Sequence, residues 1–388
     1  MVARRPQERL ETLDGLRALA VAAVVLYHYC YFWTPAGNGY PLIAYGDALA
    51  GLPFVSIGYL GVHLFFVISG FVILLTLERT SSLKEFLLRR TLRLWPALLI
   101  FGTVTFAVVS MLGPEELRVG WWEYLLSLVT LPPQHVGMLL GASGWKWLDG
   151  AYWSLFVEVK FYIIIGLMFF ALSGRVIVAW IAFELMTMAI GLQTYAVGGR
   201  FWHMLDGFFF QPYVPYFSFG LAAYANWSGR GGKAVQLLAV LAILHAALVL
   251  AIELVQNPGA NLWSSAEVVA GQTIIFALFY LFAWRRLSFS FLGWPPLVRA
   301  GRASYGIYLL HQNVGVALLA IPLFAAPLVG VGAALLVCAG IVIIAVLVYE
   351  HIEHPLQTRL KQRLFHGSAQ PRAALGPLAL RQGSQARL

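Results

Sequence analysis

LDGLRALAVAAVVLYHYCYFW, residues 13–33, is the stretch that decides the fold. It is apolar for about twenty residues, enough to cross the roughly 30 Å hydrocarbon layer of a bilayer as a helix. Yet it carries Arg17 and His28. Eleven residues make close to three helical turns, so both side chains share one face, about 16 Å apart along the axis. With Arg17 at one membrane surface, His28 falls near mid-membrane. A titratable imidazole at that depth is costly, and such residues mark function. A core histidine bonded to a neighbouring carbonyl is the plainer reading; the shared face and the depth favour chemistry. Asp14 stands three residues before Arg17, the spacing of a helical ion pair, which would also serve as a headgroup anchor.

The rest of the chain agrees with that opening. Of 388 residues, 60% are hydrophobic and 11% charged, against about a quarter charged in soluble proteins. Ten apolar stretches are long enough to span: 13–32, 58–77, 92–112, 152–172, 176–196, 208–225, 234–254, 266–284, 303–320 and 328–349. Short alternating segments, which a membrane barrel would need, are absent. The reading is an all-α integral membrane protein of about ten helices. The net charge of +9 fits this topology. With the N-terminus in the cytoplasm, external loops hold only Arg118, Lys146 and Arg200, and Lys160 lies within a span. The other Lys and Arg fall on the inner side, which places both termini in the cytoplasm of an inner-membrane protein. No compact basic domain exists to bind nucleic acid, and no cleavable signal is expected at the first span. Cys30 and Cys338 both lie in spans, so neither a disulfide framework nor a metal site is expected. Residues 1–365 form the membrane domain, and the polar, small-residue tail 366–388 reads as disordered.

Several segments carry candidate chemistry. In GYLGVHLFFVISGFVILL (58–75), Ser69 and Gly70 suit close helix packing, and Ser69 could also bond a ligand; His63, near the external end, reads as solvated. KEFLLRRTLRLWP (84–96) groups Arg89, Arg90 and Arg93 at spacings of three and four, so their guanidinium groups can converge. Forked guanidinium donors suit phosphate, although anchoring to anionic lipid would use the same residues. WWEYLLSLVTL (121–131) is too short to span and suits the membrane surface or a re-entrant segment. DGAYWSLFVEVKFY (149–162) puts Glu158 inside a span, between the possible interface anchors Trp153 and Tyr162. Lys160, two residues on, points to another face. RASYGIYLLHQN (302–313) lays Ser304, Tyr305, Tyr308 and His311 along one stripe, as helix packing or as a ligand surface. YEHIEHPL (349–356) reads as a charged exit, with Pro355 stopping the last helix.

In order, LDGLRALA, GVHLFFVISGF, RRTLRLWP, YWSLFVEVKFY, SYGIYLLHQ and IEHP resemble the acyltransferase 3 family, the multi-spanning O-acyltransferases of sugars, glycans and some antibiotics. The resemblance runs from about Leu10 to Pro355. It implies a ten-helix enzyme that moves an acyl group, most often acetyl, from cytoplasmic acyl-CoA to a hydroxyl, with no permanently bound cofactor. His28, Arg17 and Glu158 then belong to the catalytic centre, and Arg89, Arg90 and Arg93 to the CoA phosphates. Ser69, Trp153, Tyr162, Tyr305 and His311 are candidate substrate contacts. His63 departs from the pattern, since many relatives carry an acid there. Some relatives also carry an extracytoplasmic hydrolase-like domain, for which this chain is too short. The mechanistic expectation makes neutral His28 the base that deprotonates the acceptor. Arg17 would orient it or stabilise developing charge, and Glu158 would serve the acceptor from outside. The acceptor is a carbohydrate, a glycolipid or a small molecule. Two other classes share these features: a proton-coupled secondary transporter and a haem protein using His28, His63 or His311.

Overall fold

The computed structural model describes residues 6–37, 41–172, 174–256, 262–287 and 289–365; the tail 366–388 lies outside them. The described residues are mostly helical and contain no strand. Sixteen α-helices follow in chain order: α1 (Pro6–Tyr27), α2 (Leu60–Leu77), α3 (Leu83–Leu112), α4 (Trp121–Leu128), α5 (Pro133–Leu139), α6 (Trp153–Ala171), α7 (Val176–Ala196) and α8 (Arg200–Phe208). The second half holds α9 (Val214–Ala225), α10 (Lys233–Gln256), α11 (Leu262–Ala283), α12 (Pro295–Arg302), α13 (Ser304–His311), α14 (Asn313–Leu319), α15 (Pro327–Val348) and α16 (His354–Phe365). Among the described residues, eight helical segments are long and apolar enough to cross a membrane.

Two of the ten stretches read from the sequence take another form. In 208–225, Phe210 is left-handed (φ 45°), a 3-10 turn follows at Gln211–Tyr213, and α9 is only twelve residues long. All twelve are buried. In 303–320 the helix breaks at Gln312 into α13 and α14. Both short helices are covered by the longer ones, so their apolar surface meets protein.

The break is satisfied from afar, as irregular backbone within a membrane protein requires. Asn313 N–H donates to Asp149 Oδ2 at 2.8 Å, and Tyr29 O–H donates to the His311 carbonyl at 2.8 Å. Tyr152 O–H reaches the Leu309 carbonyl at 3.3 Å. Asp149 Oδ1 also accepts from Ala151 N–H at 2.8 Å, capping the 3-10 turn that leads into α6.

α2 and α9 cross closely, glycine to backbone. A Cβ on Gly70 would stand 2.3 Å from the Phe217 carbonyl oxygen, and one on Gly220 2.1 Å from that of Val67. Only glycines permit that approach. A buried polar network ties α9 to α7 and α10: His245 Nδ1 is 2.9 Å from Glu184 Oε1, Ser218 O–H donates to Glu184, and Trp180 N–H donates to Ser218 at 2.7 Å. The sequence reading passed over these residues, because nothing in their local spacing links them.

At the C-terminal end the chain corrects an expectation. Pro355 does not stop the helix. α15 runs through a π turn (Tyr349–Glu353) into α16, and that irregular turn accommodates Pro355, which has no N–H to donate. α4 lies against α3, with Phe106 and Tyr124 stacked at 4.5 Å. Its Trp121 and Trp122 are 68% and 67% exposed, as a surface-lying helix requires.

Candidate active site

Three cavities succeed one another along α1, from its N-terminal end, where the first is called inner, to His28, where the third is called outer. The inner one, about 260 Å³, is lined by polar groups that include Asp14, Arg17, Arg93, Arg302, Glu353 and Lys361. Arg17, Arg93, Ser304 and Tyr305 also wall the middle cavity, a waist of about 80 Å³ completed by Ser69, Arg90 and Glu158 among others. Val62 and Tyr308 wall both the waist and the outer cavity of about 550 Å³. The outer cavity holds His28 among aromatic rings, Trp153, Tyr213 and Tyr216 included, with Glu253, Gln272 and Gln312 as polar groups.

The waist gathers charge. Glu158 Oε1 accepts from Ser69 O–H at 2.8 Å and from Tyr162 O–H. Tyr162 is one turn along the same helix from Glu158, which explains that contact. Arg90 donates to Thr76 Oγ1, while its buried Nε and the buried Tyr305 O–H have no partner among the described residues. An unpaired buried donor is costly, and both residues line the waist. Arg17 bonds Asp14 at 2.9 Å, as the i, i+3 spacing predicts, and Arg302 reaches the other Asp14 oxygen at 3.2 Å.

His28 begins the π turn that ends α1, the kind of helix irregularity that recurs at functional sites. Its Nδ1 is 2.9 Å from the Val24 carbonyl and 3.2 Å from Nε2 of His311. The two rings meet edge to face with centroids 4.9 Å apart. His311 in turn places Nδ1 2.7 Å from the Tyr308 carbonyl. Tyr308 O–H, facing Ser154 Oγ at 2.8 Å, stands at the junction of waist and outer cavity.

Several placements depart from the sequence reading. Arg17 stands where its spacing from His28 puts it, three helical turns away in the inner cavity and the waist, so it does not orient the imidazole by contact. Glu158 stands in the waist with the arginines rather than beside the imidazole. Only two of the three clustered arginines converge. Arg89 is held by Glu85 at 2.8 Å and packs over the Phe365 ring, away from the cavities. His63 is not simply solvated; it lines the outer cavity with its ring 4.4 Å from that of Tyr216. His311 is wholly buried behind His28. Trp153 lines the outer cavity, whereas Tyr162 donates its O–H to Glu158. Lys160 leaves the site and donates to the Gly207 carbonyl at 2.7 Å. Tyr213, Arg302 and Lys361 carry no signal in the sequence, since each joins the site only through tertiary packing; the same holds for Asp149, which supports it from the break at Asn313.

Among the described residues, no group of three His, Cys, Asp or Glu is placed to hold a metal. A family model described as an acyltransferase domain matches residues 10–350. The peptidoglycan O-acetyltransferase OatA of Listeria monocytogenes is 34% identical over 121 residues, 30% of this chain and 16% of that protein. YrhL of Bacillus subtilis, provisionally named a peptidoglycan O-acetyltransferase, is 27% identical over 343 residues, covering 78% of this chain and 48% of its own. Nodulation protein 10 of Rhizobium leguminosarum is 27% identical over 332 residues, 79% of this chain and 83% of that one. The chain thus spans under half the length of the two peptidoglycan relatives. No solved structure matches it.

Proposed function

Because the chain belongs to the acyltransferase 3 family, we propose that it is a multi-pass membrane O-acyltransferase of the inner membrane with both termini in the cytoplasm. It moves an acyl group, acetyl first among them, from cytoplasmic acyl-CoA to a hydroxyl of a carbohydrate or glycoconjugate. The observation that carries this reading is the series of cavities. A guanidinium-rich inner space suits the phosphates of a CoA donor, and a wider, aromatic-lined outer space suits a polar acceptor. The waist joins them.

In this mechanism Arg17, Arg90 and Arg93 hold the anionic part of the donor, with Arg302 and Lys361 at the inner mouth. The acyl end passes the waist towards His28. Neutral His28 takes the proton of the acceptor hydroxyl on Nε2 as the oxygen attacks the thioester carbonyl. The C–S bond breaks as the C–O bond forms, and the sulfur leaves as a thiol with the proton from His28. General-base assistance of this kind is worth typically 10²–10⁴-fold.

The test is the full chain, purified and reconstituted in lipid, given radiolabelled acetyl-CoA and an oligosaccharide acceptor. Hydroxylamine-labile ester and free CoA should both appear. His28→Ala should lower the rate at least about 100-fold while the protein still elutes as a single folded species. A His28→Ala protein of undiminished activity overturns the base assignment. Failure of the wild type to yield either product overturns the acyl-transfer reading.

A further inference from the structure

We propose that His311 is a positioning residue for the reaction: it accepts the Nδ1 proton of His28, fixes the lone pair of His28 Nε2 towards the outer cavity, and steadies the imidazolium formed there. The inference rests on the reading of His28 as the base.

The proton assignment follows from acceptors that cannot donate. The Tyr308 carbonyl, 2.7 Å from His311 Nδ1, requires a proton on that nitrogen. A neutral imidazole then has only a lone pair at Nε2. That lone pair is 3.2 Å from His28 Nδ1, which must supply the hydrogen. The Val24 carbonyl, 2.9 Å from the same Nδ1, makes the same demand independently. His28 is left with an unprotonated Nε2 that bonds to none of the described residues, on a ring that lines the outer cavity. That is the atom a base uses.

His311 itself is wholly buried and lines none of the three cavities. It therefore acts through His28 rather than on substrate. Its position is held from both sides. The ring is tied to Tyr308, one turn back on α13, and the His311 carbonyl accepts Tyr29 O–H at 2.8 Å, where the helix breaks. When His28 gains a proton its Nδ1–H becomes a stronger donor, and a fixed acceptor at Nε2 of His311 stabilises that state more than the ground state. Such differential stabilisation raises turnover without altering donor affinity.

Three variants separate positioning from packing. His311→Leu fills the space without an acceptor. In His311→Asn the amide is too short to reach His28, whereas the Gln amide oxygen in His311→Gln can stand near the place of Nε2. Leu and Asn should lower kcat by about 100-fold, within the range of general-base effects, with KM for acetyl-CoA within about threefold of wild type. Gln should recover at least tenfold of that loss. Spectra of ¹⁵N-histidine protein, with the His28 signals identified by their loss in His28→Ala, give a readout independent of activity. A protonated Nδ1 and bare Nε2 are expected in the wild type. The Nδ1 signal should shift in the Leu and Asn variants and return towards the wild-type position in the Gln variant. Should the Leu variant fail to fold, the contrast between Gln and Asn decides. Wild-type kcat in Leu or Asn, or a Gln variant no better than Asn, overturns the inference. If His28→Ala stays active, the base assignment on which the inference rests fails. If His28→Ala is inactive while His311→Leu is active, only the role of His311 fails.

Discussion

Arg89, Arg90 and Arg93 show how far spacing alone carries a reading of single residues. Positions three and four apart share a helix face, and on that count all three guanidinium groups should meet. Arg90 and Arg93 do meet, in the waist. Arg89 does not, because Glu85 stands four residues before it in the favoured orientation and holds it at 2.8 Å on the outside of α3. The pairing was legible in KEFLLRR but was outweighed by the cluster itself. Arg90→Ala and Arg93→Ala should each lower kcat/KM for acetyl-CoA by about 10–100-fold, the loss of a charge-assisted contact of ~1.5–3 kcal/mol. Arg89→Ala should stay within about threefold. Arg90→Lys should not restore the wild-type rate, since an ammonium lacks the planar fork. Steady-state kinetics on reconstituted protein separates these outcomes, and equal losses at all three positions would contradict the geometry. The other residues visible from sequence, His28, Glu158, Ser69 and Tyr305, do line the cavities. The pairing of His28 with His311, 283 residues along the chain, was beyond any local pattern.

At the scale of elements, hydropathy located the eight long helices but could not tell a lipid-facing span from a buried, broken one. Residues 303–320 are as apolar as their neighbours, yet the helix breaks at Gln312 because Asp149, Tyr29 and Tyr152 supply partners to the freed backbone. Those partners come from distant loops and helices, so periodicity within the segment carries no trace of them. Asp149 gives the break a pH dependence. Burial pushes its carboxyl up to about 7, against the downward pull of the Asn313 and Ala151 N–H groups. A folded-state value above the ordinary 3.8 means that the folded protein binds this proton more tightly than the unfolded chain. The Asp149 contribution to stability therefore falls as pH rises from about 4 to about 7 and is level above that, by at most ~4 kcal/mol. Asp149→Asn removes the titrating group and leaves one N–H bond without its acceptor, at a cost of ~1–3 kcal/mol. Thermal unfolding in detergent at pH 5 and pH 8 should show the wild type losing stability between them more steeply than the variant. Identical slopes would mean that Asp149 does not titrate in this window.

For the whole molecule, what matters is that polar groups scattered from Asp14 to Lys361 are gathered into one series of spaces, with the imidazole at one end and the guanidinium groups at the other. The ordered motifs were legible as a set, but their arrangement was not. On sequence alone Arg17, His28 and Glu158 read as one centre, whereas the fold distributes them along a path. That path makes binding and transfer separable. Val62, on α2, walls both the waist and the outer cavity, and it bears no polar group that could take part in the chemistry. Val62→Trp places an indole where the two spaces meet, at an overpacking cost of ~1–3 kcal/mol that the adjoining cavities partly relieve. The inner arginines are untouched, so acetyl-CoA should still bind within about threefold of wild-type affinity by equilibrium dialysis. Transfer should fall at least about 100-fold, because misplacing the reacting carbon by even an ångström costs that much. Val62→Ala, which only widens the junction, should remain active. A Trp variant that transfers acetyl at the wild-type rate would show that donor and acceptor meet without using this junction.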